Sequence, residues 1–169
     1  MTNTEILSAI RKSLGDNYSI RQSKIFYWSP EDRTVYYNRS KLNQEVGHWS
    51  LLHEAAHALL DHQTYHSDYD LLMLEVAAWE RAQTLASELQ LSIDPEHIQD
   101  CLDTYRDWLH ERSTCPTCST VSIQVNAQTY RCHNCQTSWL VSASRFCRPY
   151  RLRNVNARKP VATPLATFT

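Results

Sequence analysis

The sequence predicts an α+β chain in two parts: a mostly helical domain with a short sheet, then a small all-β module built around cysteines. Three observations carry that reading. Apolar residues recur at helical spacing in four stretches of the first 112 residues, with two short aromatic and β-branched runs after the first stretch. Helical spacing stops at Cys115. Beyond it, Cys115-Pro-Thr-Cys118 and Cys132-His-Asn-Cys135 enclose a run that alternates like a hairpin. The expected boundaries are 1–112, 113–150 and a flexible tail over 151–169.

In chain order, Thr4–Leu14 places Ile6, Leu7, Ile10 and Leu14 on one helical face, and Gly15 is a stop signal. Ile25–Trp28 and Thr34–Tyr37 read as strands around the turn Ser29-Pro30-Glu31-Asp32. A second helix starts between Leu42 and Glu45 and fades near Asp61. A third runs from about Tyr69 to Leu91 on Leu72, Val76, Trp79, Ala82, Ala86 and Leu89. Asp94-Pro95 suits an N-cap and first turn, so residues 95 to 112 form a fourth helix. Residues 120 to 131 then form a hairpin and 138 to 142 a third strand, with no internal repeat apparent.

The composition, 42% hydrophobic and 21% charged, is that of a globular chain, and a net charge of -1 supplies no overall pull toward nucleic acid or membrane. No stretch reaches the apolar length of a membrane span, and the first residues lack the apolar core of a signal peptide. A cytoplasmic location is the expectation, where thiols stay reduced and cysteines more often hold metal than pair. One local asymmetry stands out: Arg145, Arg148, Arg151, Arg153, Arg158 and Lys159 are basic, with no acidic residue among them.

Chemistry concentrates in two places. In His53-Glu54-Ala55-Ala56-His57 the histidines stand four apart, so one helical face can offer both imidazoles to a zinc ion. Glu54, one step round, is placed to act as general base toward water. Such a site needs a third protein ligand and an open position. The metzincin spacing fails, because Leu60 and Gln63 stand where glycine and histidine are required. His62, His66, Asp68 and Asp70 sit on a turn, so Glu75 on the next helix is the better candidate; Ala77, Ala78 and Ala82 allow close approach there. His48, His62, His66, Tyr65 and Tyr69 are candidate oxyanion donors, and His48 and His62 are otherwise bystanders or helpers. The second place is the pair of cysteine knuckles. Cys115, Cys118, Cys132 and Cys135 have the spacing of a four-thiolate structural zinc in a zinc ribbon. His133 is expected to be exposed, Cys101 to be core, and Cys147 has no assigned role.

The run HEAAHALLDH, with LEVAAWERA and Ala86 after it, resembles the ImmA/IrrE-type zinc metallopeptidases over residues 20 to 92. That resemblance implies a small gluzincin-like domain with His53, His57 and Glu75 as zinc ligands and Glu54 as base. It implies a zinc endopeptidase cleaving a regulatory protein, such as a helix-turn-helix repressor in a DNA-damage, mobile-element or phage-defence response. Three departures stand out: Ala56 replaces a usual glycine, no obvious helix-turn-helix precedes the domain, and the cysteine ribbon replaces the sensor-like domain that some members carry. SprT-like proteases, which join the same helix motif to a zinc ribbon and act on DNA-bound proteins, are the second enzyme reading. They require a third histidine, for which His62 or His66 would have to serve. A non-catalytic zinc-ribbon adaptor binding DNA or protein is the third. DNA contact is expected through Arg145, Arg148, Arg151 and Arg153, interleaved with Tyr130, Trp139, Phe146 and Tyr150.

Overall fold

Helix α1 (Asn3–Leu14) opens on a reciprocal cap: Thr2 Oγ1 accepts from the Glu5 N–H while the Glu5 carboxylate accepts from the Thr2 N–H. It ends at Gly15, whose φ of 74° suits a residue without a Cβ. The face predicted from spacing is the buried one, with Ile6 and Ile10 fully enclosed. The structure, a computed structural model, describes residues 2–142 and the backbone of Arg151–Arg153.

Three strands come next: β1 (Ser19–Ser23), β2 (Tyr27–Ser29) and β3 (Thr34–Asn38). Their order is β1-β3-β2, with β1 parallel and β2 antiparallel to the central β3. Sequence periodicity missed β1, because SIRQS is polar and none of its five residues is buried. Its register is set by backbone pairing with β3, which no side-chain pattern announces. The edge strand β2 starts two residues later than expected. Ile25, which would have begun it, is 60% exposed.

Helices α2 (Glu45–Leu59), α3 (Asp68–Glu88) and α4 (Pro95–Ser113) stand close to their predicted ranges. The first compact unit comprises Met1–Tyr65 with Asp70–Asp103. Its core joins α1 to Val35, Leu51, Leu52, Ala55 and Ala58, then to Ala78, Trp79, Ala82, Leu85, Ile98 and Leu102.

The second unit comprises His66–Tyr69 with Thr104–Thr169, so the division falls inside α4 rather than at residue 112. Strands β4 (Ile123–Asn126), β5 (Thr129–Arg131), β6 (Ser138–Val141) and β7 (Arg151–Arg153) form an antiparallel sheet in that order. β7 lies inside the segment expected to be a tail, and the sheet passes the boundary set at residue 150. The core of this unit holds Cys115, Tyr130, Cys132, Trp139 and Val141. A buried ion pair organises it: Arg112 donates from Nε and Nη2 to Asp68 at 2.6 and 3.1 Å. The Tyr130 hydroxyl donates to the same carboxylate at 2.7 Å, and the Trp139 indole donates to the Arg112 carbonyl. Both charges are therefore matched by geometry as well as by sign, which burial demands.

Candidate metal centres

Helix α2 is buried on several faces at once, by Leu51, Leu52, Ala55, Ala56 and Ala58. Its entry is tight. A Cβ added at Gly47 would fall 2.0 Å from the Lys41 carbonyl oxygen, so that position tolerates no side chain without backbone movement. A helix this enclosed cannot carry unpaired polar groups cheaply, so His53, Glu54 and His57 need partners.

Those partners converge. His53 Nε2 lies 3.2 Å from one Glu75 oxygen, His57 Nε2 lies 3.6 Å from the other, and the two Nε2 atoms stand 3.1 Å apart. Ligand atoms held about 2.0–2.1 Å from zinc at tetrahedral angles lie about 3.3–3.4 Å from one another. The observed separations bracket that edge. The side chains of His53, His57 and Glu75 are 10, 12 and 9% exposed, so the cluster is screened without being sealed.

Proton accounting points the same way. Two imidazole nitrogens and a carboxylate within 3.6 Å of one another form a site for positive charge, carried either by N–H protons or by a cation. Burial acts to raise the Glu75 carboxyl, yet the hydrogen bonds and charges of His53 and His57 hold it well below the usual carboxylate range. Glu75 is thus held as the anion, the form in which a carboxylate could bind a cation. No other described residue joins this group.

The supports of the two histidines differ. The His53 ring stacks on Trp79, with centroids 4.2 Å apart, while its buried Nδ1 has no hydrogen-bond partner among the described residues. The His57 Nδ1 instead meets His62 Nδ1 at 2.8 Å. Glu54 is held from the sheet side: its Oε2 accepts the backbone N–H of Trp28, on edge strand β2, at 2.8 Å. Burial pushes the Glu54 carboxyl above its ordinary value and the Glu75 charge adds to this, against the nearby imidazoles and the Trp28 N–H.

The four knuckle cysteines form the second cluster, with all four sulfurs within 4.8 Å of one another. Cys115 to Cys135 and Cys118 to Cys132 are each 3.5 Å apart, near the edge of about 3.8 Å for a tetrahedron of thiolates around zinc. The Cys118 thiol is drawn down to about 5 by the Thr120 hydroxyl and backbone, while burial pushes Cys115 up to about 11. The knuckles repeat one design. Ser119 and Gln136 each return an N–H to the first cysteine carbonyl, and Thr120 and Thr137 place hydroxyls 3.3 and 3.2 Å from the second sulfur.

Compared with family models, curated proteins and solved structures, the chain matches none. The geometry therefore stands by itself.

Some expectations change, and others fall outside the described residues. Tyr130 and Trp139 are 2% and 0% exposed and stack on each other inside the second unit, so neither offers a face to a nucleotide base. Arg145, Arg148, Phe146, Tyr150 and Cys147 lie outside the described residues, and for Arg151 and Arg153 only the strand backbone is described. His48 Nε2 is bonded to Asn3, and Tyr65 and Tyr69 are exposed. The expectation of no repeat is corrected as well: Cys-x-x-Cys-x-Thr occurs twice, at Cys115–Thr120 and Cys132–Thr137. Aligning the two knuckles on their cysteines, two residues further along the chain, would have found Thr120 and Thr137. Nothing in the linear sequence marked the Trp28 backbone or the Trp79 ring.

Proposed function

We propose that this chain is a zinc-dependent endopeptidase, with His53, His57 and Glu75 holding the catalytic ion and the four-cysteine cluster holding a structural one. The observation that carries this is a two-histidine, one-carboxylate cluster beside a second carboxylate, Glu54, that is kept out of the ligand set. Three protein ligands leave a position open for substrate or water. A zinc ion there supplies Lewis acidity toward a carbonyl oxygen and makes water more acidic.

The chain's own residues account for the proton transfers. Trp28 N–H occupies Glu54 Oε2, which leaves Oε1 to take a proton from water and hand it to the leaving amine. Burial raises the Glu54 carboxyl, which makes its carboxylate a stronger base toward water. Trp79 and His62 hold the ligand rings, so little reorganisation is needed during turnover.

A helix-turn-helix repressor is the substrate class that the family resemblance favours. The requirement of the SprT-like reading, a third histidine ligand, finds no support in the position of His62, whose Nδ1 faces His57 rather than the cluster. The adaptor reading rests on the complete cysteine cluster and makes the His53, His57 and Glu75 site structural or vestigial.

Glu54→Gln separates these readings. The variant should keep two zinc ions per chain and lose cleavage of a repressor or an unfolded protein substrate by several orders of magnitude. Cleavage at the wild-type rate would sink the mechanism, and a wild type holding one zinc would favour the adaptor.

A further inference from the structure

The turn that ends α2 is closed by backbone hydrogen bonds. Leu60 N–H bonds to Ala56 O, Asp61 N–H to Ala58 O at 3.0 Å, and His62 N–H to His57 O at 3.0 Å. The last two are the five-to-two and six-to-one bonds of a Schellman stop, with Asp61 in the left-handed position at φ 50°. In that motif the residue after the left-handed one folds back over the third residue from the helix end. Here those residues are His62 and His57. The stop therefore brings the two rings together, with centroids 4.9 Å apart and Nδ1 facing Nδ1 at 2.8 Å. His62 is fixed from its far side too: the Trp28 indole donates to its carbonyl oxygen at 2.8 Å.

We infer that His62 is a positioning residue, its Nδ1 accepting the Nδ1–H of His57 and so holding the His57 Nε2 lone pair toward the metal cluster. This rests on reading His53, His57 and Glu75 as a metal site. The chemistry is forced once His57 Nε2 is a ligand. A neutral imidazole carries one hydrogen; with Nε2 committed, that hydrogen is on Nδ1. Its close partner is another ring nitrogen, which must then accept. His62 consequently keeps its own hydrogen on Nε2. Metal-bound histidines commonly donate to a carboxylate or carbonyl; here a second imidazole takes that place, delivered by the helix terminus. His53 has no such acceptor among the described residues, so the burden of orientation by hydrogen bonding falls on His57. The same geometry removes His62 from the ligand candidates, because its Nδ1 is occupied at His57 and its other nitrogen is not in the cluster.

The test uses the full chain with zinc at both sites. Competition against a chromophoric chelator should show His62→Ala weakening one zinc by about 10–100-fold while the ribbon zinc is unchanged. His62→Asn, whose Oδ1 can stand near the lost Nδ1, should recover most of that loss. Nitrogen-15 spectra of the zinc-loaded wild type should show His62 as the neutral Nε2–H tautomer. Two results would overturn the inference: His62→Ala holding zinc within twofold of wild type, or His62 found charged or protonated on Nδ1. If His62→Ala does not fold, the wild-type tautomer decides alone. A wild type that binds zinc only at the cysteines instead removes the metal-site reading itself, so the two failures are distinct.

Discussion

At the scale of single residues, the candidate site shows how two clustered histidines are steadied by unlike neighbours. His53 depends on an aromatic face and His57 on a hydrogen bond. Trp79 is 4% exposed, so Trp79→Ala should destabilise the protein by about 3–5 kcal/mol, read by chemical denaturation. It should also weaken zinc binding beyond what a distant core truncation of equal cost produces. A Trp79→Ala variant with unaltered zinc affinity would show that stacking does not hold His53. The clustering of His53, His57 and Glu75 was legible, since histidines four apart share a helical face and a carboxylate was sought on the next helix. The stack was not. Trp79 lies at the helical spacing of core residues, and core packing looks the same in sequence whether its neighbour is leucine or imidazole.

At the scale of elements, the ends of helices carry more information than their lengths. The predicted extents of α1 and α4 were close because their caps are local chemistry. What sequence could not supply was the direction in which α2 stops. Asp61 takes the place usually given to glycine, and that substitution hid the turn. Asp61→Gly should preserve or raise stability by up to about 1 kcal/mol, whereas Asp61→Val should lower it by about 1–2 kcal/mol. Thermal melts of the two variants test this. Equal melting temperatures would mean that the left-handed position carries no strain. Strand β1 was hidden for a different reason: its side chains are solvated and its stability comes from main-chain pairing with β3.

At the scale of the whole molecule, burial is concentrated where polar groups are matched. In the second unit Asp68 serves Arg112 and Tyr130 together. Burial first, then the Asp68 carboxylate, raises the Tyr130 hydroxyl above its usual range. A group whose pKa is higher in the folded state contributes stability in full below its unfolded value of about 10, and loses it as pH climbs toward the folded value. Tyr130→Phe should therefore cost about 1 kcal/mol at neutral pH, with the gap to wild type narrowing above about pH 10. A gap independent of pH would place the cost in packing alone. The repeated knuckles have a kinetic consequence. Ser119 and Gln136 hold φ of 60° and 62°, in a chain with only two glycines. Each side chain there resists the closed turn by about 1 kcal/mol, which favours opening of the thiolate cage. If the four-cysteine cluster holds zinc as proposed, the ion should exchange sooner than from the same cluster with glycine at both turns. Ser119→Gly with Gln136→Gly should slow its release to excess chelator by about an order of magnitude, making the tempo of metal turnover a property set by two residues that touch no metal.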